Sequence, residues 1–437
     1  MTVVGRAAGA GVRRAGNRFV EDIQRTLLPS GLRVVTESLP ELRSVTVGAW
    51  VGSGARDEGD VEAGASHFLE HLLFKGTEDR SAREIAEAVE SVGGEMNAFT
   101  THEQTVFYVR LPAAEAELAF EILGDVVWRP AFRVDDIESE RQVILEEIGM
   151  RDDTPDDLVH SVFAATLFPD HPLGREVLGS EESISAMARD AIAHYHGAHY
   201  QPSNVVVASA GCLTHDQVLE QVDRHFVTEG TERPVRANGA LPPPLARRVV
   251  ERPTEQAHLV LGVRALPGLD PDRYALTVLN QALGGGMSSR LFQEVREQRG
   301  LAYSVYSYRV GFDDSGLFAI YAGTSPERFA ETLDVVRDQL RRIVDERGIP
   351  VRELDAAKGH IVGSLAMSLE TSSSRMRRLG RGELVEGEIP SIDELIARVQ
   401  AVEADDIARV VERVLVGVEP TIALVGPFDD SALDALV

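Results

Sequence analysis

Two histidines and a glutamate stand within five residues in the stretch HFLEHLLFKGT, His67 to Thr77. Positions four apart on a helix lie one above the other, so the imidazoles of His67 and His71 can point at one ion. Zn²⁺ takes such nitrogen ligands, and a catalytic zinc site has three protein ligands with one position left open. Glu70 reaches the same face and is placed to act as a general base on a water. A chain with 12 histidines and 70 acids in 437 residues gives about 0.05 such patterns by chance. The pattern is suggestive, and a third ligand has to complete it. ESERQVILEEIGM supplies candidates. Glu140 and Glu147 lie two turns apart on one helix face, and a rise of ~10.5 Å keeps both from binding one ion. One would be a ligand and the other the partner of a ligating histidine. Glu146 competes, about 100° further round the helix. Val143, Ile144 and Ile148 are expected to mark the adjacent buried face.

Other stretches offer further chemistry. GEMNAFT, with Asn97, Ala98 and Phe99, precedes the strand-like TVFYVRL and is expected at a sheet edge, where an extended peptide can add as a further strand. MRDDTPDDLVHS carries Asp152, Asp153, Asp156 and Asp157, either a solvated acidic turn or a receptor for a substrate arginine. His194, His196 and His199 in HYHGAH invite a second metal site, but histidines near a helix C-terminus also suit its dipole. LGGG, residues 283–286, lacks the Lys-Ser/Thr of a phosphate loop.

The elements that must position these residues recur in two halves. Alternation at Leu32, Val34 and Thr36, and at Val45, Val47, Ala49 and Val51, predicts half-buried strands. Residues 62–75 are helical in pattern. Ser81 and Glu84 form a capping box for a helix that Gly93 stops. Residues 113–128 and 135–151 read as amphipathic helices, and QPSNVVVASAG as a buried strand. The second half repeats the order. HLVLGVRA is a strand, then a helix is expected with Asp270 as N-cap and Pro271 at its first position. Two strands, GLAYSVYSYRV and GLFAIYAGT, follow, and Ser325 is expected to cap the next helix. Aligned on apolar positions, HFLEHLLFKG lies over TVLNQALGGG. His67, Glu70 and His71 then face Thr277, Asn280 and Gln281, so the polar trio exists in one copy only, which points to chemistry rather than packing. The fold class is α+β, two homologous domains from an internal duplication, each a mixed sheet with helices packed on one face. The expected division is a tail at 1–20, a first domain at 21–232, a Pro/Gly/Arg-rich linker at 233–253 and a second domain at 254–437.

Composition bounds the partners. Lys+Arg 44 against Asp+Glu 70 leaves −26, which disfavours nucleic acid and anionic membranes and favours basic or neutral partners. One cysteine, Cys212, excludes an intrachain disulfide framework and suits a reducing cytosol, so the expected location is cytoplasmic. No apolar run approaches the ~20 residues that span a bilayer. The acid-poor leader, with Arg6, Arg13, Arg14 and Arg18, reads as a disordered tail, or as a transit peptide.

With these residues in place, the chain resembles the inverted zincins, and more closely the pitrilysin/insulin-degrading-enzyme family of zinc peptidases, in the subgroup of the mitochondrial processing peptidase and its bacterial relatives. GASHFLEHLLFKGT, GGEMNAFTTHEQTVFYV and ERQVILEEI match in order and spacing, and the resemblance runs from about residue 30 to 426. It implies one Zn²⁺ per chain on His67, His71 and Glu147, Glu70 as catalytic base, and Glu140 as the auxiliary glutamate that orients a histidine. It implies that Asn97, Ala98 and Phe99 meet the substrate backbone, that Phe74 lines an apolar pocket and that Asp157 meets a basic side chain. LGGGMSSRLFQEVREQRGLAYSV carries the family's Arg/Tyr pair, here Arg296 and Tyr303, suited to a developing oxyanion. The bland reading has Tyr303 packed in a strand and Arg296 in a surface ion pair. Zinc motif and Arg/Tyr pair in one chain imply a homodimer enclosing a chamber, each protomer lending Arg296 and Tyr303 to the other's zinc. The expected function is a zinc metalloendopeptidase acting on short or unfolded, basic peptides. The alternative is a non-catalytic peptide-binding or assembly subunit of the same fold.

Overall fold

The computed structural model describes residues 21–226, 229–230, 232–236, 239–429 and 431. The leader at 1–20 lies outside them. The first sheet is built from β1 (Ile23–Leu27), β2 (Arg33–Ser38), β3 (Ser44–Val51), β4 (Glu95–Thr100), β5 (Thr105–Pro112) and β6 (Val205–Gly211). The second is built from β7 (Arg247–Glu251), β8 (Ala257–Ala265), β9 (Ala302–Gly311), β10 (Gly316–Thr324) and β11 (Thr421–Gly426). The strand orders are β1-β2-β6-β3-β5-β4 and β7-β11-β8-β10-β9. In each sheet one parallel pair, β2 with β6 and β7 with β11, sits beside antiparallel pairs. Apart from β1 the two connectivities are the same, so the duplication is visible in the topology. β7 falls inside the stretch expected to be linker. Its parallel pairing with β11 outweighs the local Pro/Arg-rich composition.

The helices are α1 (Ala65–Leu73), α2 (Ala82–Ser91), α3 (Ala116–Trp128), α4 (Val134–Asp152), α5 (Pro155–Leu167), α6 (Glu181–Ala186), α7 (Arg189–His199) and α8 (His215–His225), followed by α9 (Arg273–Gly284), α10 (Phe329–Asp345), α11 (Val351–Ser368), α12 (Ser372–Arg381), α13 (Ile392–Gln400) and α14 (Ala404–Val414). α2 carries the expected capping box: Ser81 Oγ accepts from Glu84 N and the Glu84 carboxylate accepts from Ser81 N at 2.8 Å. α9 starts later than expected, with Asp272 in the cap position. Asp270 instead accepts the Asp272 N–H at 2.8 Å, a turn ahead of the helix. Ser325 precedes a 3₁₀ turn, Pro326–Arg328, and its side chain makes no capping bond. The buried positions of α1 are Ala65, Ser66, Phe68, Leu69, Leu72 and Leu73, and those of α9 are Ala275, Leu276, Val278, Leu279, Ala282 and Leu283. The spacing is the same, which supports the register that sets the polar trio against Thr277, Asn280 and Gln281.

The contacts divide the chain into two compact units that are not cut at one point. One takes the described residues of Met1–Glu147, Glu176–Ala237 and Ser368–Ser391; the other takes those of Ile148–Arg175, Asn238–Met367 and Ile392–Val437. The expected cut between 21–232 and 254–437 leaves α5 and α12 with their chain neighbours. The contacts place each with the sheet from the other half. In the first unit, α1, α3 and α8 pack on one face of the sheet and α12 on the other. Trp50 Nε1 donates to Met376 Sδ at 3.2 Å, Thr46 and Ser372 share a hydroxyl bond of 2.8 Å, and Arg375 pairs with buried Glu37. In the second unit, Val159, Val162 and Phe163 of α5 pack with Val260, Ala319, Tyr321 and Val425, while α9, α10 and α14 share a separate core with the strands. Helices on one face thus describes the local helices, and the exchanged helix covers part of the other. This is why β2 and β3 are buried on both faces at Val34, Val35, Thr36, Val47 and Trp50, where alternation predicted half-burial.

Candidate metal centre

α1 owes its position to a buried carboxylate. Its cap residue, Gly64, sits at φ 93° and has no side chain to cap with. Glu58 takes that role, accepting from Gly64 N and Ser66 N at 2.7 Å each. Ser66 Oγ then meets the hydroxyl of buried Tyr195 at 2.9 Å, and that hydroxyl meets Ser53 at 3.0 Å. With Phe68, Leu69, Leu72 and Leu73 committed to the core, the remaining flank of the helix presents His67, Glu70 and His71.

α4 brings the opposing carboxylates. Its buried stripe runs through Ile137, Glu140, Arg141, Ile144 and Ile148. Val143, expected on this stripe, is exposed instead, because its neighbours at three- and four-residue spacing already fill the contact face. The Arg141 guanidinium donates to the carbonyls of Ile184 and Met187 and lies 5.6 Å over the Phe68 ring, fixing α4 to α1. Glu146 points to solvent.

His67, His71 and Glu147 each offer an atom within 4.8 Å of the others. Both Nε2 atoms lie 3.7 Å from Glu147 Oε2. Two ligands about 2.0–2.1 Å from a tetrahedral ion would be about 3.4 Å apart, close to this spacing. Glu147 Oε2 is buried without a hydrogen-bond partner, as is His67 Nδ1. A carboxylate oxygen is left without a partner at such cost where a cation can take it. Burial, and secondly the neighbouring His71, pushes His67 down to about 4, so its ring is neutral and its lone pair free. His71 Nδ1 lies 3.1 Å from Glu140 Oε2, and Lys75 Nζ lies 2.6 Å from Glu140 Oε1. Burial raises the Glu70 carboxyl above its ordinary range, opposed by hydrogen bonding from Thr100 and by His71, while Glu147 adds to the rise. The donor set of two imidazoles and a carboxylate, with a base alongside, can hold a divalent metal and move a proton.

The structure brings together His67, His71, Glu147, Glu140 and Glu70. Ala98 and Thr100 share the α1-facing side of β4, with Thr100 Oγ1 3.5 Å from Ser66 O. Strand alternation turns Asn97 and Phe99 to the other side, where Phe99 packs edge-on against Trp50 at 5.9 Å and Arg377 lies over it. Asn97 Oδ1 accepts the Ala98 N–H at 2.7 Å. β4 pairs with β5 alone and forms the sheet edge. Phe74 packs edge-on against Phe107 at 5.7 Å. Asp157 belongs to the first turn of α5 in the second unit, where acids suit the helix dipole. Arg296 and Tyr303 also belong to the second unit. Arg296 lies in a π-helical turn, Phe292–Glu297, donates to Tyr303 O at 2.9 Å and sits 4.4 Å over the Tyr303 ring, which is 78% exposed. Tyr303 is therefore not packed away in its strand. His196 donates to Val127 O at 2.9 Å and His199 meets Ser53 Oγ at 3.0 Å, so these histidines have separate partners. Sequence reasoning missed Lys75, Thr100 and Glu58. Of these only Lys75, one helical turn past His71, left a local signal.

Fold and site define a duplicated α+β protein whose first half carries a cluster of two histidines and a glutamate compatible with a metal ion. Two family profiles match: "Insulinase (Peptidase family M16)" over residues 33–181 and "Peptidase M16 inactive domain" over residues 186–360. The chain belongs to the M16 peptidase family. It is 44% identical over 430 residues to an uncharacterized zinc protease of Streptomyces coelicolor, covering 96% of this chain and 93% of that one. It is 48% identical over 402 residues to an uncharacterized zinc protease of Mycobacterium tuberculosis, covering 90% of each. A solved protease from Helicobacter pylori matches with TM-score 0.87 at 24% identity, covering 94% of this chain and all of that one. A "peptidase M16 inactive domain" from Pseudomonas fluorescens matches with TM-score 0.88 at 22% identity, covering 93% and 98%. These two likenesses speak for the fold. Among the described residues no helix is long and apolar enough to cross a membrane.

Proposed function

We propose that the chain is a zinc-dependent endopeptidase that hydrolyses short or unfolded, basic peptides. The observation that carries this reading is the unpartnered Glu147 Oε2 facing two imidazole Nε2 atoms at 3.7 Å, with Glu70 on the same helix flank. His67, His71 and Glu147 would hold the zinc. Bound there, zinc supplies Lewis-acid polarisation of the scissile carbonyl and lowers the pKa of water. Glu70 takes the proton of the attacking water and delivers it to the leaving amine; its burial-raised pKa suits both transfers. The free edge of β4 takes an extended peptide by main-chain hydrogen bonds, which demands an unfolded substrate and tolerates many sequences. The chain's −26 charge favours basic peptides. Arg296 and Tyr303, neighbours in space with the phenol exposed, suit an oxyanion, and the proposal has them act on the zinc site of a second protomer.

The test is Glu70→Gln. The variant should keep its zinc, read by elemental analysis, and its affinity for a quenched basic peptide. Its turnover should fall by about 10²–10⁴ or more. Cleavage at the wild-type rate would show that Glu70 is not the base.

A further inference from the structure

We propose that Lys75 is a positioning residue of the metal centre, locking Glu140 so that His71 presents Nε2 to the ion. The inference rests on the zinc-site reading above and concerns a residue outside the ligand set. Glu140 is 3% exposed, and its two oxygens have different tasks. Oε2 accepts from His71 Nδ1 at 3.1 Å, which puts the ring proton on Nδ1 and leaves the Nε2 lone pair facing Glu147 Oε2. Oε1 is held by Lys75 Nζ at 2.6 Å. Partners of this kind fix the orientation and basicity of a ligating imidazole.

The backbone explains how Lys75 comes to be there. α1 ends at Leu73, Phe74 keeps right-handed helical angles, and Lys75 N bonds Leu72 O at 3.0 Å. Lys75 therefore follows His71 by one turn on the same side of the helix. Its charge lies at the helix C-terminus, where the dipole favours a cation. Lys75 and His71 are the ion-pair partners of Glu140 among the described residues. Remove the ammonium, and a buried carboxylate keeps one oxygen with nothing to accept from. Such a group costs enough that the carboxylate is driven to rotate toward other donors or solvent. That rotation loosens the hold on His71 Nδ1.

The experiment measures zinc affinity of the metal-free full chain by competition with a chromophoric chelator. Lys75→Met should weaken zinc binding by about 10–100-fold, with the thermal midpoint of the metal-free protein near that of the wild type. Lys75→Arg should restore most of the affinity. In a Glu140→Ala background, Lys75→Met should change the affinity by less than about twofold, since the two residues act as one unit. Should Lys75→Met fail to fold, Lys75→Leu, which likewise offers neither charge nor donor to Glu140 Oε1, carries the same comparison. Wild-type affinity in the neutral variant, or full additivity with Glu140→Ala, would overturn the role of Lys75. A wild-type chain that takes up no zinc would instead remove the metal centre and this proposal with it.

Discussion

His67 and His196 are helix histidines whose imidazoles burial pushes down to about 4, yet they do different things. His196 donates to Val127 O and stacks on Tyr200 at 4.5 Å, so its needs are met within the fold. His67 has a buried Nδ1 with no partner and an Nε2 turned toward Glu147. For His196 the shift makes a stability prediction. A histidine depressed in the folded state binds protons more readily when unfolded. Its contribution is therefore full above pH 6.5 and is lost as pH falls toward 4. Between pH 7 and pH 5 this one residue should account for about 2 kcal/mol. His196→Gln should reduce the pH dependence of the urea-unfolding free energy by that amount. An unchanged slope would mean that His196 is charged in the folded protein or is not buried as described.

At the scale of elements, neighbours supply what the local sequence lacks. α1 is nine residues long, too short to persist alone in water, and its first turn is closed by Glu58 and Tyr195 from outside the helix. α12 depends on a close approach. A Cβ at Gly380 would stand 2.1 Å from the Trp50 indole. Gly380→Ala should therefore cost about 3 kcal/mol or more, read as a lower thermal midpoint. Trp50→Phe in the same chain should recover part of the loss, because the two changes share one contact. If Gly380→Ala melts with the wild type, the exchanged helix does not pack as described. The strands of the first sheet make the same point about legibility. The alternation of β2 and β3 could be read, but half-burial was the wrong inference, since α12, which covers their second face, lies more than 300 residues further along the chain.

For the whole molecule, duplication has left two units of like topology with different side chains at matched positions. The first has His67, Glu70 and His71 where the second has Thr277, Asn280 and Gln281. The second carries Arg296 and Tyr303. The proposal that this pair acts in a partner protomer makes a complementation prediction. Glu70→Gln and Tyr303→Phe should each be nearly inactive alone. Mixed in equal amounts under conditions that exchange subunits, half of the dimers would be hybrids with one intact composite site. Activity should return to roughly a quarter of the wild-type level. If mixing restores nothing although mass measurement finds hybrid dimers, the pair does not act in trans.

By itself the sequence determined that His67, Glu70 and His71 share one helix flank, because a helix turns helical spacing directly into a shared face. It also determined the two-fold repetition, because apolar periodicity survives divergence. It left open which of Glu140 and Glu147 faces the imidazoles, and the family resemblance carried that choice. Tertiary structure decided the rest. It put Glu147 Oε2 before both Nε2 atoms, gave Lys75 to Glu140 and Glu58 to the start of α1, traded α5 for α12, and drew β7 from an apparent linker into a sheet. Each of these depends on which distant segments share a buried surface, and local spacing holds no record of that.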